Sequence, residues 1–161
     1  MQKTNKIIEP KKAYEKLAAL CARRECCLSD LAQKLYAWGI ETTEAEEILM
    51  QLEGEKFVDE ARYARAYVEE KLRFQGWGRK KLRVMLGGKR ISNSDIQSAL
   101  SEINEQEYRD ILCRLVQEYD RSCTETDAYK RRGKIIAFAQ RRGYELDLIM
   151  QEVDRLGYEV D

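Results

Sequence analysis

Two stretches of the sequence carry an excess of basic side chains, which are groups that bind anions. Residues 62–91 hold ten Lys or Arg and two acidic residues, and residues 131–143 hold five Lys or Arg and no acidic residue. A positive patch attracts negatively charged partners, such as phosphate backbones and acidic protein surfaces. The alternative is an ordinary solvated helix face. We predict the contact residues to be Arg62, Arg73, Arg79, Lys80, Lys81, Arg83, Lys89, Arg90, Arg131, Arg132, Lys134, Arg141 and Arg142.

The rest of the chain is acidic enough to cancel this excess. Residues 92–130 and residues 144–161 each carry a net charge of −5, and the whole chain has a formal net charge of zero. Its pI is about 6.5, whereas a dedicated DNA-binding domain usually exceeds about 9. Direct DNA binding is therefore disfavoured as the main role.

Side chains suited to catalysis or metal binding are scarce. The chain has no histidine, which is the commonest general acid–base near neutral pH, and it has no P-loop, dinucleotide-binding turn or HExxH motif. An odd number of cysteines without CxxC spacing favours buried or idle thiols over disulfides or zinc. They are Cys21, Cys26, Cys27, Cys113 and Cys123. We expect no enzymatic activity, no metal and no cofactor.

The sequence offers no sign of membrane insertion or secretion. No apolar run approaches the roughly 18–20 residues that span a bilayer. The first residues, MQKTNKIIEPKK, lack the apolar segment of a secretory signal. We expect a cytoplasmic protein that makes no membrane contact.

The elements that position these residues are predicted to be helices. The chain has one proline and nine glycines, it is rich in strong helix formers, and no alternating apolar pattern persists. Five apolar positions recur after 51 residues and again after a further 53, which indicates a diverged repeat. They are Leu31, Leu35, Ile40, Leu49 and Leu52, then Leu82, Leu86, Ile91, Leu100 and Ile103, then Ile135, Ala139, Tyr144, Val153 and Leu156.

Each repeat is predicted to be a three-helix bundle of the helix-turn-helix kind. The division is a tail at residues 1–9 and repeats at residues 10–57, 58–104 and 105–161. Such a unit buries only a marginal core by itself, so three in tandem support one another in an elongated, curved row. The alternative is one compact globule of nine helices. The fold class is all-α in both cases.

Several residues are expected to shape the ends of these helices. Pro10 suits the first turn of the first helix, and Ser29 is expected to cap the second. Thr43 with Glu46 three residues later is typical of a capping box for the third. The glycines of Gly76–Gly78 and Gly87–Gly88 are expected to break helices.

The two tryptophans are expected in different environments. Trp38 is expected in the core of the first repeat. Trp77 lies between two glycines, where it either packs against the next helix or forms an exposed stacking surface; packing is the default for so large an apolar ring.

The second repeat opens with a recognisable motif. Phe57 precedes Asp59, which can cap the following helix, and Phe57 is expected to fold onto that helix as a hydrophobic staple. Tyr63 and Ala64 are expected to face the core. The stretch Phe57–Ala64 resembles the F-[LIV]-[DN]-[DE]-x-R-[YF]-A motif of the RecX family. Further similarity lies in Ala18–Leu35, Gly39-Ile40 and Gly76–Leu82.

The resemblance extends from about Tyr14 to Tyr158. It departs from the family after the middle helix of the second repeat, where K-G-[IV] is usual and this chain has Gly87-Gly88-Lys89-Arg90-Ile91. It implies a negative regulator that binds RecA filaments on single-stranded DNA and limits filament growth, ATP hydrolysis, strand exchange and the SOS response. It also implies contact with single- or double-stranded DNA in some members. We expect a monomer whose partner is the RecA filament. The alternatives are a direct nucleic-acid-binding helical module and a generic helical adaptor.

Overall fold

The computed structural model describes residues 8–158, and over that range it contains nine α-helices and no β-strand. The helices are α1 (Pro10–Arg23), α2 (Leu28–Ala37), α3 (Thr42–Gly54), α4 (Glu60–Glu70), α5 (Arg79–Gly88), α6 (Asn93–Ser101), α7 (Glu105–Ser122), α8 (Ala128–Arg141) and α9 (Leu146–Arg155). A π-helical turn, Lys71–Gln75, continues α4. The predicted all-α class is confirmed. None of the described helices combines the length and the apolar character needed to cross a bilayer.

The helices form three units, each with its own hydrophobic core. We call α1–α3 unit 1, α4–α6 unit 2 and α7–α9 unit 3. Leu17, Leu31 and Leu52 lie in the first core, and separate clusters fill the other two units. Among the described helices, all the extensive helix–helix contacts are within a unit. Three cores in series match the predicted tandem arrangement and not a single globule; the curvature of the row and the exact division of the chain stay predictions.

The second and third cores each also receive one side chain from the preceding unit. Cys27, just before α2, is fully buried in the second core, and Leu72 of the π-helical turn is buried in the third. All five cysteines are free thiols. These shared side chains remove additional apolar surface from water, so each unit stabilises its neighbour.

The repeat is visible in the backbone at the end of each middle helix. Gly39, Arg90 and Gly143 occupy the same repeat position, and all three have left-handed backbones, with φ of 76°, 61° and 95°. In every case the next residue donates its N–H to the carbonyl five residues earlier, at 3.1–3.2 Å, which is the Schellman pattern. Arg90 adopts a conformation that favours glycine. Gly87 and Gly88 are the last two residues of α5, so the helix ends at the predicted glycine pair, and the left-handed turn comes two residues later at Arg90.

Two of the predicted helix caps were wrong. Cys27 is the N-cap of α2, and Ser29 lies one residue inside the helix. Glu41 is the N-cap of α3, without a side-chain capping bond, so Thr43 and Glu46 form no capping box. The start of α3 is set by the Schellman turn before it. That turn holds Ile40 in the core, so only Glu41 remains between the turn and α3.

The opening of unit 2 follows the sequence prediction in part. Asp59 is the N-cap of α4, and its Oδ1 accepts a hydrogen bond from the Arg62 N–H at 3.0 Å. Tyr63 and Ala64 are buried in the second core. The predicted staple was wrong, because Phe57 packs on the first core. The left-handed turn at Lys56 carries Phe57 back, where its N–H bonds the Leu52 carbonyl at 2.9 Å.

The described end of the predicted tail packs on unit 1. Ile8, which we assigned to the tail, packs against the first core, and its N–H donates to the Trp38 carbonyl at 3.2 Å. Trp38 is itself partly buried against the same core, as predicted. The rest of the predicted tail, residues 1–7, lies outside the described residues.

Candidate partner-binding surface

Many of the predicted contact residues form ion pairs inside the molecule. Six of them lie within 4.0 Å of a carboxylate: Arg62, Arg73, Arg79, Lys89, Arg131 and Lys134. Five of the acids that pair with them lie in the acidic stretches noted from the sequence: Glu105, Glu107, Asp120, Glu125 and Glu145. The basic excess of the sequence is therefore partly neutralised by folding.

Two of these pairs hold unit 1 against unit 2. Arg62 Nε lies 2.6 Å from Glu25 Oε1, and its guanidinium also donates to the carbonyl of Phe57 at 3.4 Å. Lys89 Nζ lies 3.0 Å from both carboxylate oxygens of Asp30. All four charged side chains retain some solvent exposure, so salt weakens this joint.

The joint between units 2 and 3 is built from backbone. The Gly78 N–H donates to the Arg142 carbonyl at 2.7 Å, and the Lys80 N–H donates to the Gly143 carbonyl at 3.0 Å. A Cβ added at Gly78 would lie 2.5 Å from the Gly143 carbonyl carbon, and one added at Gly143 would lie 2.5 Å from the Lys81 Cβ. Only glycine allows the two segments to approach this closely.

Arg79 reinforces the same joint with its side chain. Its guanidinium lies 3.9 Å from the centre of the Tyr108 ring and pairs with Glu105 and Glu145 of unit 3. The Tyr108 hydroxyl accepts from the Arg79 N–H and donates to Glu145 Oε1, both at 3.0 Å. Burial raises the pKa of Tyr108, so the hydroxyl stays protonated and keeps donating. Arg79 is thus committed to an internal contact.

The remaining predicted cations with a partner contact residues either across the joint between units 2 and 3 or within unit 3. Arg73 pairs with Glu69 and with Glu107 of α7, the latter at 2.7 Å. Arg142 donates to the Gln75 carbonyl at 2.6 Å. The other three have partners within unit 3: Arg131 Nε contacts Asp120 at 2.9 Å, Lys134 contacts Glu125 at 3.2 Å, and Arg132 contacts the Met150 sulfur at 3.7 Å.

The structure leaves a smaller set of predicted cations exposed. Among the described residues, no carboxylate lies within 4.0 Å of Lys80, Lys81, Arg83, Arg90 or Arg141. Lys80 and Arg83 share one exposed face of α5 with Val84, which is 71% exposed. Arg83 donates to Gln97 Oε1 at 2.9 Å. These side chains are available to a partner.

A groove that the sequence prediction missed lies where unit 1 meets unit 2. It has a volume of about 470 Å³ and is bordered by Tyr67, Trp77 and Lys71 of unit 2 and by Arg24 and Lys34 of unit 1. One signal in the sequence was the i, i+4 spacing of Tyr67 and Lys71, which places an ammonium over an aromatic ring. No comparable signal in the sequence shows that Arg24 and Lys34 of unit 1 border the groove, because their position there depends on how the two units pack together.

Sequence models of the second and third three-helix domains of RecX match residues 59–100 and 105–152, which together make up more than half of the chain. The chain belongs to the RecX family.

Relatives and solved structures agree with this assignment. The regulatory protein RecX of Vibrio parahaemolyticus is 29% identical over 81% of this chain and 82% of its own length. That of Acinetobacter baylyi is 28% identical over 86% of this chain and 84% of its own. A crystal structure of RecX from Lactobacillus salivarius superposes with a TM-score of 0.78, covering 93% of this chain and 97% of that one at 17% identity. The last comparison shows the shared fold, and the relatives support a regulatory role.

Proposed function

We propose that this RecX family member is a negative regulator of the RecA recombinase that binds RecA–single-stranded DNA filaments. Binding would limit filament growth, ATP hydrolysis and strand exchange. The main support for this proposal is the exposed face of α5, taken together with the membership of the chain in the RecX family. Lys80 and Arg83 have no carboxylate within 4.0 Å among the described residues, and Val84 on the same face is exposed.

The arrangement of units supports a protein that contacts an extended partner. Three separate cores follow one another along the chain, and the rigid joint at Gly78 fixes α5 relative to unit 3. A row of units offers a long surface to a filament. Exposed cations that are not neutralised by a nearby carboxylate promote encounter with an acidic surface.

The test is strand exchange and ATP hydrolysis by the RecA of the same organism, with and without this protein. We expect the wild type to inhibit both reactions. The Lys80→Ala/Arg83→Ala variant should inhibit less, because two desolvated charges are lost at the contact. Arg79 is left intact, since its loss would disturb the joint between units 2 and 3.

A matched control is the Lys11→Ala/Lys12→Ala variant, which removes two exposed cations from α1. It should inhibit like the wild type. Equal inhibition by all three proteins would overturn the assignment of the α5 face. No inhibition by the wild type would overturn the proposed function itself.

A further inference from the structure

One covalent link joins unit 1 to unit 2, and it is short. Val58 is buried in the first core, and the next residue, Asp59, is the N-cap of α4. The N–H groups of Phe57 and Val58 both donate to the Leu52 carbonyl, at 2.9 and 3.3 Å. The link therefore stays with unit 1 up to Val58, and a rotation of the units is confined to the next bonds. Hinges are usually a few element-terminal residues of this kind.

The contact that holds unit 1 against unit 2 is narrow. Among the described helices, all the extensive helix–helix contacts are within a unit. A groove flanks the contact on each side: one of about 470 Å³ that Trp77 borders, and one of about 830 Å³ bordered by α2 and the end of α5. Asp30 and Lys89 line both grooves, so this ion pair separates them. Units with a small interface are expected to move relative to each other.

One side chain is inserted across this narrow contact. Cys27 is fully buried in the second core, although the preceding residue, Cys26, is buried in the first. Because Cys27 belongs to the segment before α2 of unit 1, it leaves the second core when unit 1 moves away. Burial raises the pKa of the Cys27 thiol, so the thiol is unreactive while it stays in the core.

Two cations of unit 2 hold unit 1 at different places. The guanidinium of Arg62 donates to the carbonyls of Lys56 and Phe57, at 3.3 and 3.4 Å. Both carbonyls lie just before the link to α4, so Arg62 holds the link itself. Lys89 follows α5, and its Nζ lies 3.0 Å from both carboxylate oxygens of Asp30 in the first turn of α2. This second contact is the one that a swing of unit 1 separates.

We propose that unit 1 is a hinged arm that swings about the Val58–Asp59 link. The ion pair between Lys89 and Asp30 is the latch that holds the arm closed, and opening withdraws Cys27 from the second core. Both side chains of the latch keep some solvent exposure, so salt weakens the pair and anions reach Lys89. An anion that binds Lys89 in place of Asp30 therefore releases the arm.

The hinged arm goes beyond the proposed regulation of RecA and does not depend on it. Units 2 and 3 form the fixed part of the molecule, because close backbone contacts join them at Gly78 and Gly143. The exposed face of α5 therefore keeps its place beside unit 3 when unit 1 moves. The hinge is testable on the protein alone, without a recombinase.

The opening of the arm is measured by alkylation of Cys27 with N-ethylmaleimide, a neutral reagent, in a Cys26→Ala background. Peptide mass spectrometry assigns the modification to Cys27. At 0.1 M salt, Lys89→Met should raise the alkylation rate about 1.4-fold to 5-fold, the usual effect of an exposed ion pair. An increase to 1 M salt shortens the screening length from about 10 Å to about 3 Å. It should accelerate the reaction in the protein with Lys89 and have little effect on Lys89→Met.

Two matched variants make the test specific to the latch. Lys80→Met is the same chemical change near the start of α5, at an exposed lysine that has no carboxylate within 4.0 Å among the described residues. It should leave the alkylation rate unchanged. Lys89→Arg keeps the cation and should react like the protein with Lys89. The latch is overturned if Lys89→Met has no effect, or if Lys80→Met accelerates the reaction as much.

Inorganic polyphosphate tests the release of the arm by a competing anion. At constant ionic strength it should accelerate the alkylation of Cys27 when Lys89 is present and have little effect on Lys89→Met. If polyphosphate accelerates the reaction in both proteins equally, or in neither, release through Lys89 is wrong.

Cysteines placed in the two cores distinguish a swing of the arm from local unfolding. Ala13 is fully buried in the first core, and Ala99 is buried in the second. Ala13→Cys and Ala99→Cys therefore report the unfolding of unit 1 and of unit 2. Both new thiols should react more slowly than Cys27, and Lys89→Met should not accelerate them. Equal rates for the three thiols would mean unfolding and would overturn the hinge.

Distances between spin labels give an independent measure of the swing. p-Acetylphenylalanine at position 36, 84 or 129 carries a ketone-reactive nitroxide and leaves the native cysteines unlabelled; the side chains replaced, Tyr36, Val84 and Tyr129, are strongly exposed. Electron–electron double resonance should show that Lys89→Met and 1 M salt lengthen the 36–84 distance, which spans the latch. The 84–129 distance, within units 2 and 3, should stay constant. Equal changes in both distances, or no change in the first, would contradict the hinged arm.

Discussion

The close backbone contact between Gly78 and Gly143 predicts that Gly78→Ala is strongly destabilising. The new Cβ would lie 2.5 Å from both the carbonyl carbon and the carbonyl oxygen of Gly143, and 2.6 Å from the backbone nitrogen of Tyr144. All three are backbone atoms, so no side-chain rotation relieves the contact. Units 2 and 3 must separate there by about 1 Å to restore ordinary carbon contacts.

That displacement costs interactions that can be counted. The Gly78–Arg142 and Lys80–Gly143 hydrogen bonds, at 2.7 and 3.0 Å, contribute about 0.5–1.5 kcal/mol each. Looser packing around Leu72 in the third core adds a further loss of about 1 kcal/mol. We expect the free energy of unfolding to fall by about 2–4 kcal/mol.

The measurement is urea denaturation followed by circular dichroism, with Gly87→Ala as the matched control. Gly87 lies inside α5, and nothing stands within 4 Å of the Cβ position. The same chemical change should therefore stabilise the protein there by about 0.5–1 kcal/mol, since alanine favours the helix. A Gly78→Ala protein as stable as the wild type would refute the view that close backbone contact joins units 2 and 3.

Two further substitutions test local features of unit 2. Arg90 has φ of 61°, so Arg90→Gly should raise the free energy of unfolding, measured by urea denaturation, by about 1 kcal/mol. Gly39→Ala, at the same position of unit 1, should lower the free energy of unfolding. A destabilised Arg90→Gly protein would contradict the strain argument. Burial, together with the charges of Glu53 and Asp95, raises the pKa of Glu60 to about 6. The folded state then binds this proton more tightly than the unfolded state, so stability falls as the pH rises from about 4.5 to about 6. Glu60→Gln should raise the melting temperature at pH 7.5 and leave it unchanged near pH 4. The control Glu47→Gln, at an exposed glutamate, should change the melting temperature little at either pH. Equal effects of Glu60→Gln at both pH values would rule out the titration of Glu60 as the cause.

The sequence was most informative where one periodic pattern decides the structure. Leu35, Leu86 and Ala139 occupy the same repeat position, and each is buried near the end of the middle helix of its unit. Their spacing sets both the helix face and the turn that follows. Helix starts were less predictable, because Glu41 becomes the N-cap through the turn that buries Ile40 and not through a capping side chain.

The candidate site was harder to predict, because it depends on contacts between distant residues. Arg79 pairs with Glu145, which is 66 residues away, and Gly78 meets Gly143 across the same joint. A charge count along the chain cannot show that an arginine is already neutralised. Nor can it show that Arg24 and Lys34 of unit 1 line the groove that contains Trp77.

Internal pairing also explains how a chain of zero net charge presents a positive surface. Several acids near unit 2 are used at its joints: Glu25 and Asp30 bind Arg62 and Lys89 on one side, and Glu105, Glu107 and Glu145 bind Arg73 and Arg79 on the other. Among the described residues, no carboxylate lies within 4.0 Å of the remaining unit 2 cations Lys71, Lys80, Lys81, Arg83 and Arg90. The acidic stretches of the sequence thus help to fix the units in place, and the cations that they leave unpaired are available to the polyanionic partner that we propose.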